Sequence, residues 1–193
     1  MKKLFLLLTL SLFFISCDKA KEEKTQQNKG SKKEFVYSEN IQDTFFGVKF
    51  GASERNVIDV FQEQGFRIDI DNLGETYCGF KPQGKYFCFD EINWENIIVG
   101  FTENMLNDIT FYIYFENKED ALNMCDKVLS VISSKYNMCG MPIEYEMLYK
   151  DYLAISKDRK RVNLECGIDE AHREGTKYYI ALNYHDETIR LRQ

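Results

Sequence analysis

Proline and histidine are scarce in this chain of 193 residues, with two of each, and tryptophan occurs once. With so little proline and no low-complexity run after residue 40, the sequence shows no linker that would divide the following region into two domains. Two histidines without paired spacing, and cysteines with no CxxC among them, exclude the usual zinc-binding patterns. No Gly-rich phosphate loop and no serine-hydrolase elbow is present. Basic residues form no stripe: 25 Lys+Arg stand against 31 Asp+Glu, a net charge of −6, which argues against a nucleic-acid partner. The one long apolar run, Leu4 to Ile15, is shorter than the roughly 20 residues a membrane-spanning helix needs.

That run follows Lys2 and Lys3 and ends at Ser16-Cys17, the order of charged, apolar and small-residue regions in an export signal. Phe14-Ile15-Ser16-Cys17 resembles the bacterial lipobox, with Phe14 in place of the usual Leu. The resemblance implies cleavage after Ser16 and a mature protein whose Cys17 carries the lipid. Loss of residues 1–16 removes two lysines and leaves a net charge of −8. From Asp18 to Glu34 the only apolar side chain is Ala20, too little to offset chain entropy, so residues 17–40 read as a lipidated cysteine and a tether. Such a tether reaches roughly 20–25 Å. Within it Lys21-Glu22-Glu23 resembles the charged signals that send some lipoproteins of the Bacteroidetes to the cell surface. The expected address is the cell envelope, lipid-anchored at the outer membrane, facing the periplasm or the surface.

Residues 41–193 are long enough for one globular domain with a core of its own. Residues 45–51 read as an extended lead-in. Ser53 is a good N-cap, Val57, Ile58 and Phe61 share a helical face, and Gly65 supplies a stop, giving a helix over 54–64. Period-2 patterns predict strands at 77–81, 85–89, 97–102 and 109–115, with a turn over 104–107. Asn117 caps a second helix, with Glu119 and Asp120 in its first turn and Ala121, Leu122, Cys125, Val128, Leu129 and Ile132 on one face; Asn137 or Gly140 ends it. Strands at about 147–156, 161–168 and 176–184 follow, the first two joined at residues 157–160. Segregated helices and hairpins predict an α+β fold, an antiparallel sheet of about six to eight strands with two helices on one face.

A helix followed by a meander occurs twice, near 53–115 and 117–184. This order resembles the two-repeat architecture of beta-lactamase inhibitor proteins, and residues 51–57, GASERNV, look like the helix opening of small outer-membrane assembly lipoproteins of the SmpA/OmlA type. Neither resemblance brings a functional residue with it.

Five cysteines remain after Cys17. Export permits disulfides, and the turn Pro82-Gln83-Gly84 tests one pair. A three-residue loop sets Phe80 opposite Tyr86 and Cys78 opposite Cys88, with α-carbons about 4.5 Å apart, at the near edge of disulfide geometry. Cys78–Cys88 is therefore the expected staple, reduced thiols being the alternative. Cys125 and Cys139 are poor partners, because helix after Cys125 carries the chain roughly 16 Å away.

His172 and His185 lie in polar stretches, and either has the chemistry of a general base, but no nucleophile sits nearby in sequence. Glu165, Asp169, Glu170 and Glu174 lack the spacing of a calcium loop. The tyrosines say more. If Ile109, Phe111, Ile113 and Phe115 face the helices, Tyr112 and Tyr114 face outward. Tyr179 points out by the same alternation, and Phe80 and Tyr86 share a face with the cysteine pair. These five residues form the candidate binding face, although β propensity and cross-strand packing account for tyrosines too. The leading expectation is a non-enzymatic module binding a protein or glycan partner, with no cofactor or metal. A structural accessory of an envelope assembly and a hydrolase using His172 or His185 are the alternatives.

Overall fold

The computed structural model of the chain describes residues 36–69, 76–170, 172 and 174–189, all within one compact unit. Cys17, the export signal and most of the expected tether lie outside the described residues.

A two-residue hairpin opens the described chain, β1 (Thr44–Phe45) with β2 (Val48–Lys49). Helix α1 (Glu54–Glu63) begins where Ser53 accepts a hydrogen bond from the Asn56 amide, and gives way at Gly65, whose φ of +87° is a left-handed value natural to glycine. β3 (Phe66–Asp69) and β4 (Tyr77–Pro82) follow, then a small hairpin of β5 (Phe87–Phe89) and β6 (Ile92–Trp94). β7 (Asn96–Thr102) turns through Glu103 and Asn104, both with positive φ, into β8 (Met105–Phe115). That two-residue turn is the primed hairpin type, tighter than the turn expected at 104–107, so β8 begins four residues before the expected strand.

Helix α2 (Lys118–Ser133) starts at Asn117, which accepts from the Asp120 amide at 2.9 Å. It ends before Asn137. The Ser134 hydroxyl closes on the Val131 carbonyl, and Asn137 instead binds the entering chain, donating to Ser38 Oγ and the Tyr37 carbonyl. β9 (Cys139–Gly140), β10 (Leu148–Ile155), β11 (Lys160–Asp169) and β12 (Lys177–Asp186) complete the order.

Eight strands form one antiparallel sheet in the order β3-β4-β7-β8-β12-β11-β10-β9. The fold is α+β with two helices. α1 and α2 both pack on the face that carries Ile109, Phe111, Ile113, Leu164, Ile180 and Leu182, all buried in one core. Aromatic rings fill the gap between helices, small hairpins and sheet: Phe89 stacks on Phe111 at 4.4 Å, and Trp94 lies 5.6 Å from the same ring. Among the described residues no helix is long and apolar enough to cross a membrane.

The expected hairpin around residues 82–84 does not form. β4 is held between β3 and β7, with Cys78 opposite Val99, while β5 pairs only with β6, placing Cys88 opposite Asn93. Both thiols are free, so the Cys78–Cys88 staple is not present. Phe87 and Phe89 are drawn onto Phe46, Phe66 and Phe111, and that aromatic packing outweighs the local turn preference. Phe80 is corrected with it. It is 1% exposed, 4.7 Å from the Phe61 ring on the helix side, and belongs to the core.

Candidate functional site on the open sheet face

The sheet register lays out the face away from the helices as a grid. Tyr112, Ala181, Glu165 and Asp151 form one line across β8, β12, β11 and β10. Thr110, Asn183, Asn163 and Leu153 form the next, and Tyr114, Tyr179 and Gly167 a third. Both helices and both small hairpins pack on the opposite side, so this grid carries no helical layer. Alternation alone produces it, since residues two apart on a strand share a face.

Tyr112 and Tyr114 lie side by side with parallel rings, centroids 6.1 Å apart, and Tyr179 approaches Tyr112 at 6.4 Å. All three are half-buried by their neighbours. Burial is the main cause that raises their phenols, those of Tyr114 and Tyr179 to about 12, so all three remain protonated donors at neutral pH. Tyr179 finds room because its β11 neighbour is glycine; a β-carbon at Gly167 would sit 3.0 Å from the Tyr179 ring and 2.7 Å from the Met147 carbonyl.

Ala181, the short side chain in its line, leaves a concavity of about 330 Å³. Tyr112, Glu165, Asp151, Asn163 and Asn183 line it, with Met141 and Arg161 also on its wall. Its charged groups are the Asp151 and Glu165 carboxylates and Arg161, whose charge pulls the Glu165 carboxyl down. Burial pushes the Asp151 carboxyl up, and one of its oxygens is shielded without a hydrogen-bond partner. Glu165 is also pushed up, by burial first and then by the Asp151 charge, against the pull of an Asn163 amide that donates to it at 2.6 Å. Next to the concavity, Asn183 donates to Asp108 and Thr110, and Asp108 also meets His185 Nδ1 at 3.1 Å.

A second concavity, about 500 Å³, opens beyond Tyr114. Arg67, Lys81, Tyr86, His172 and Lys177 contribute to it. Two of its cations are in ion pairs: Lys81 with Asp69 at 2.6 Å, and Lys177 with Glu116 and with Glu174. The His172 ring packs on Tyr114 at 4.6 Å.

The structure thus brings Tyr112, Tyr114 and Tyr179 together and sets Tyr86, 43% exposed, on the rim of the second concavity. Phe80, Cys78 and Cys88 stand apart from it. His185 is no loop residue; it lies in β12, one residue before the strand's end, paired with Asp108. Of the four acidic residues weighed for a cation, only Glu165 lines a concavity with a second buried carboxylate, and among the described residues no three His, Cys, Asp or Glu side chains converge as a metal site. Asp151 is the residue that pattern reading passes over. The 157–160 turn contains the signal, because counting outward from it pairs Ile155 with Arg161, Leu153 with Asn163 and Asp151 with Glu165.

Neutral phenols, amides and two strained carboxylates around a small apolar floor suit a ligand that presents hydrogen-bond donors or a positive charge. No serine, threonine or cysteine lies beside His172 in the second concavity. Compared with known proteins, the chain matches no family model, no curated protein and no solved structure.

Proposed function

We propose that the chain is a lipid-anchored envelope protein whose folded part is a non-enzymatic binding module, taking a protein partner on the open face of its sheet. One observation carries the reading: Tyr112 and Tyr114 stack side by side on the sheet face that carries no helix, beside a concavity holding two carboxylates. Tyrosine offers contact area at small entropic cost. Asp151 and Glu165 favour a partner that seats a lysine or arginine there, since a cation relieves the repulsion between them. Met141, on the wall of that concavity, begins a stretch in which Ile143, Tyr145 and Met147 are also exposed, extending the apolar rim.

The strand order supports descent from a helix-plus-meander unit used twice. β3-β4-β7-β8 run inward from one edge and β9-β10-β11-β12 from the other, so the last strand of each unit meets at the centre. In this reading the binding face straddles the junction of the two units, and the tether places it within reach of the membrane.

A photo-reactive residue at Met141 tests the reading in native membranes. It should give a discrete cross-linked product that the same group at Asp59, exposed on α1, does not give. Identical products from both positions, or none from Met141, would remove it.

A further inference from the structure

Two cysteines on the helix side take no part in the binding face. Cys125 lies on the buried stripe of α2 with Ala121, Val128 and Ile132, and Cys166 on β11 points to the same side. Both are fully buried in one core with free thiols, and α2 packs directly on β11. The neighbouring positions repeat the contact. Lys150, the β10 partner of Cys166, forms an ion pair with Asp126, the residue after Cys125. Residues 125–126 of α2 thus lie near residues 150 and 166 of the sheet.

We propose that Cys125 and Cys166 are a disulfide-forming pair that ties α2 to β11 in an oxidising thiol–disulfide environment, while Cys78, Cys88 and Cys139 remain reduced. Among the described residues the three others face no cysteine across their ladders: Cys78 faces Val99, Cys88 faces Asn93 and Cys139 faces Leu153.

The chemistry is two exchanges with a small-molecule disulfide such as oxidised glutathione. Cys166, on the strand, loses its proton to solvent, and its thiolate attacks one glutathione sulfur and expels a glutathione thiolate. The Cys125 sulfur, giving its proton to that thiolate, then attacks the Cys166 sulfur of the mixed disulfide and expels the second glutathione, which takes up a solvent proton. Two protein thiols are oxidised and one glutathione disulfide is reduced to two glutathiones. A glutathione adduct has no room in a closed core, so the first exchange proceeds while α2 is off the sheet, during folding or local opening.

The test uses the full chain, reduced, unfolded and refolded in a buffer of reduced and oxidised glutathione, then alkylated under denaturing conditions and mapped without reductant. The expected product is a 125–166 linked peptide two hydrogens lighter than its parts, with alkyl groups on Cys78, Cys88 and Cys139. Its thermal midpoint should exceed that of the reduced protein by roughly 5–10 °C. Cys166→Ser, checked for folding by circular dichroism, should lose both the link and the shift. Alkylation of both Cys125 and Cys166 after oxidative refolding, or a dominant link to any other cysteine, would overturn the proposal. The outcome is independent of whether the open face binds a partner.

Discussion

Asp151 on β10 lies directly across from Glu165 on β11, so two carboxylates share one stretch of half-buried sheet. Both have native pKa values raised above their ordinary values of 3.8 and 4.5, by burial and, for Glu165, by the Asp151 charge as well. The native state therefore binds these protons more tightly than the unfolded chain does. The penalty is absent below the unfolded values, accrues as pH rises through the raised native ones, and is constant above them. Glu165→Gln should raise stability at pH 7, and the gain should fade on acidification toward about pH 4. Both side chains keep solvent contact, so the gain is under about 1 kcal/mol. Denaturant titrations at the two pH values check this; an equal effect at both, or a loss at pH 7, counts against the pair as a strained site.

Threonine at Tyr112 or Tyr114 keeps strand propensity and removes a ring. Each substitution should cost about 1 kcal/mol or less in folding. Partner capture should weaken by a further 1–2 kcal/mol on the order of an interface aromatic. If capture falls only in proportion to the loss of folded protein, read by circular dichroism, the tyrosines serve packing alone.

Gly167→Ala pushes a methyl toward the Tyr179 ring and the Met147 carbonyl. Backbone yields less readily than a ring tip, so the cost should be about 1–3 kcal/mol. The Tyr179 resonances should move in spectra of the variant, while Gly175→Ala, where a β-carbon would meet nothing within 4 Å, pays only for its positive φ and leaves Tyr179 in place.

Cys17→Ser should abolish incorporation of labelled fatty acid and release or stall the protein. Intact-mass analysis of the unaltered protein should find a mature N-terminus at an acylated Cys17, and a terminus elsewhere would remove the anchor.

Local signals made much of this fold legible. Ser53 and Asn117 cap the two helices as their side-chain chemistry predicts, and the alternation of 109–115 assigns Phe111 to the core and Tyr112 to the open face. Partner choice among strands is not local. β4 passes over the β5–β6 hairpin to pair with β7, which no turn motif near residue 82 announces, and the cysteine staple and the outward Phe80 both depended on that choice. The concavity depends on four strands whose registers combine at Ala181, so its carboxylate pair can be counted from the β10–β11 hairpin alone while the tyrosine beside it requires β12 and β8 as well.

The centre of the sheet is built by its latest strand. β8 stands ready after the first half of the chain, yet its outer ladder partner is β12, which follows α2, β9, β10 and β11. A ribosome or a translocation pore delivers residues in order, so Ile109, Phe111 and Ile113 wait beside an open strand edge until Tyr184, Leu182 and Ile180 arrive. A chain arrested before Lys177 is left with two half-sheets and no shared middle, which makes it food for proteases and not a smaller stable protein.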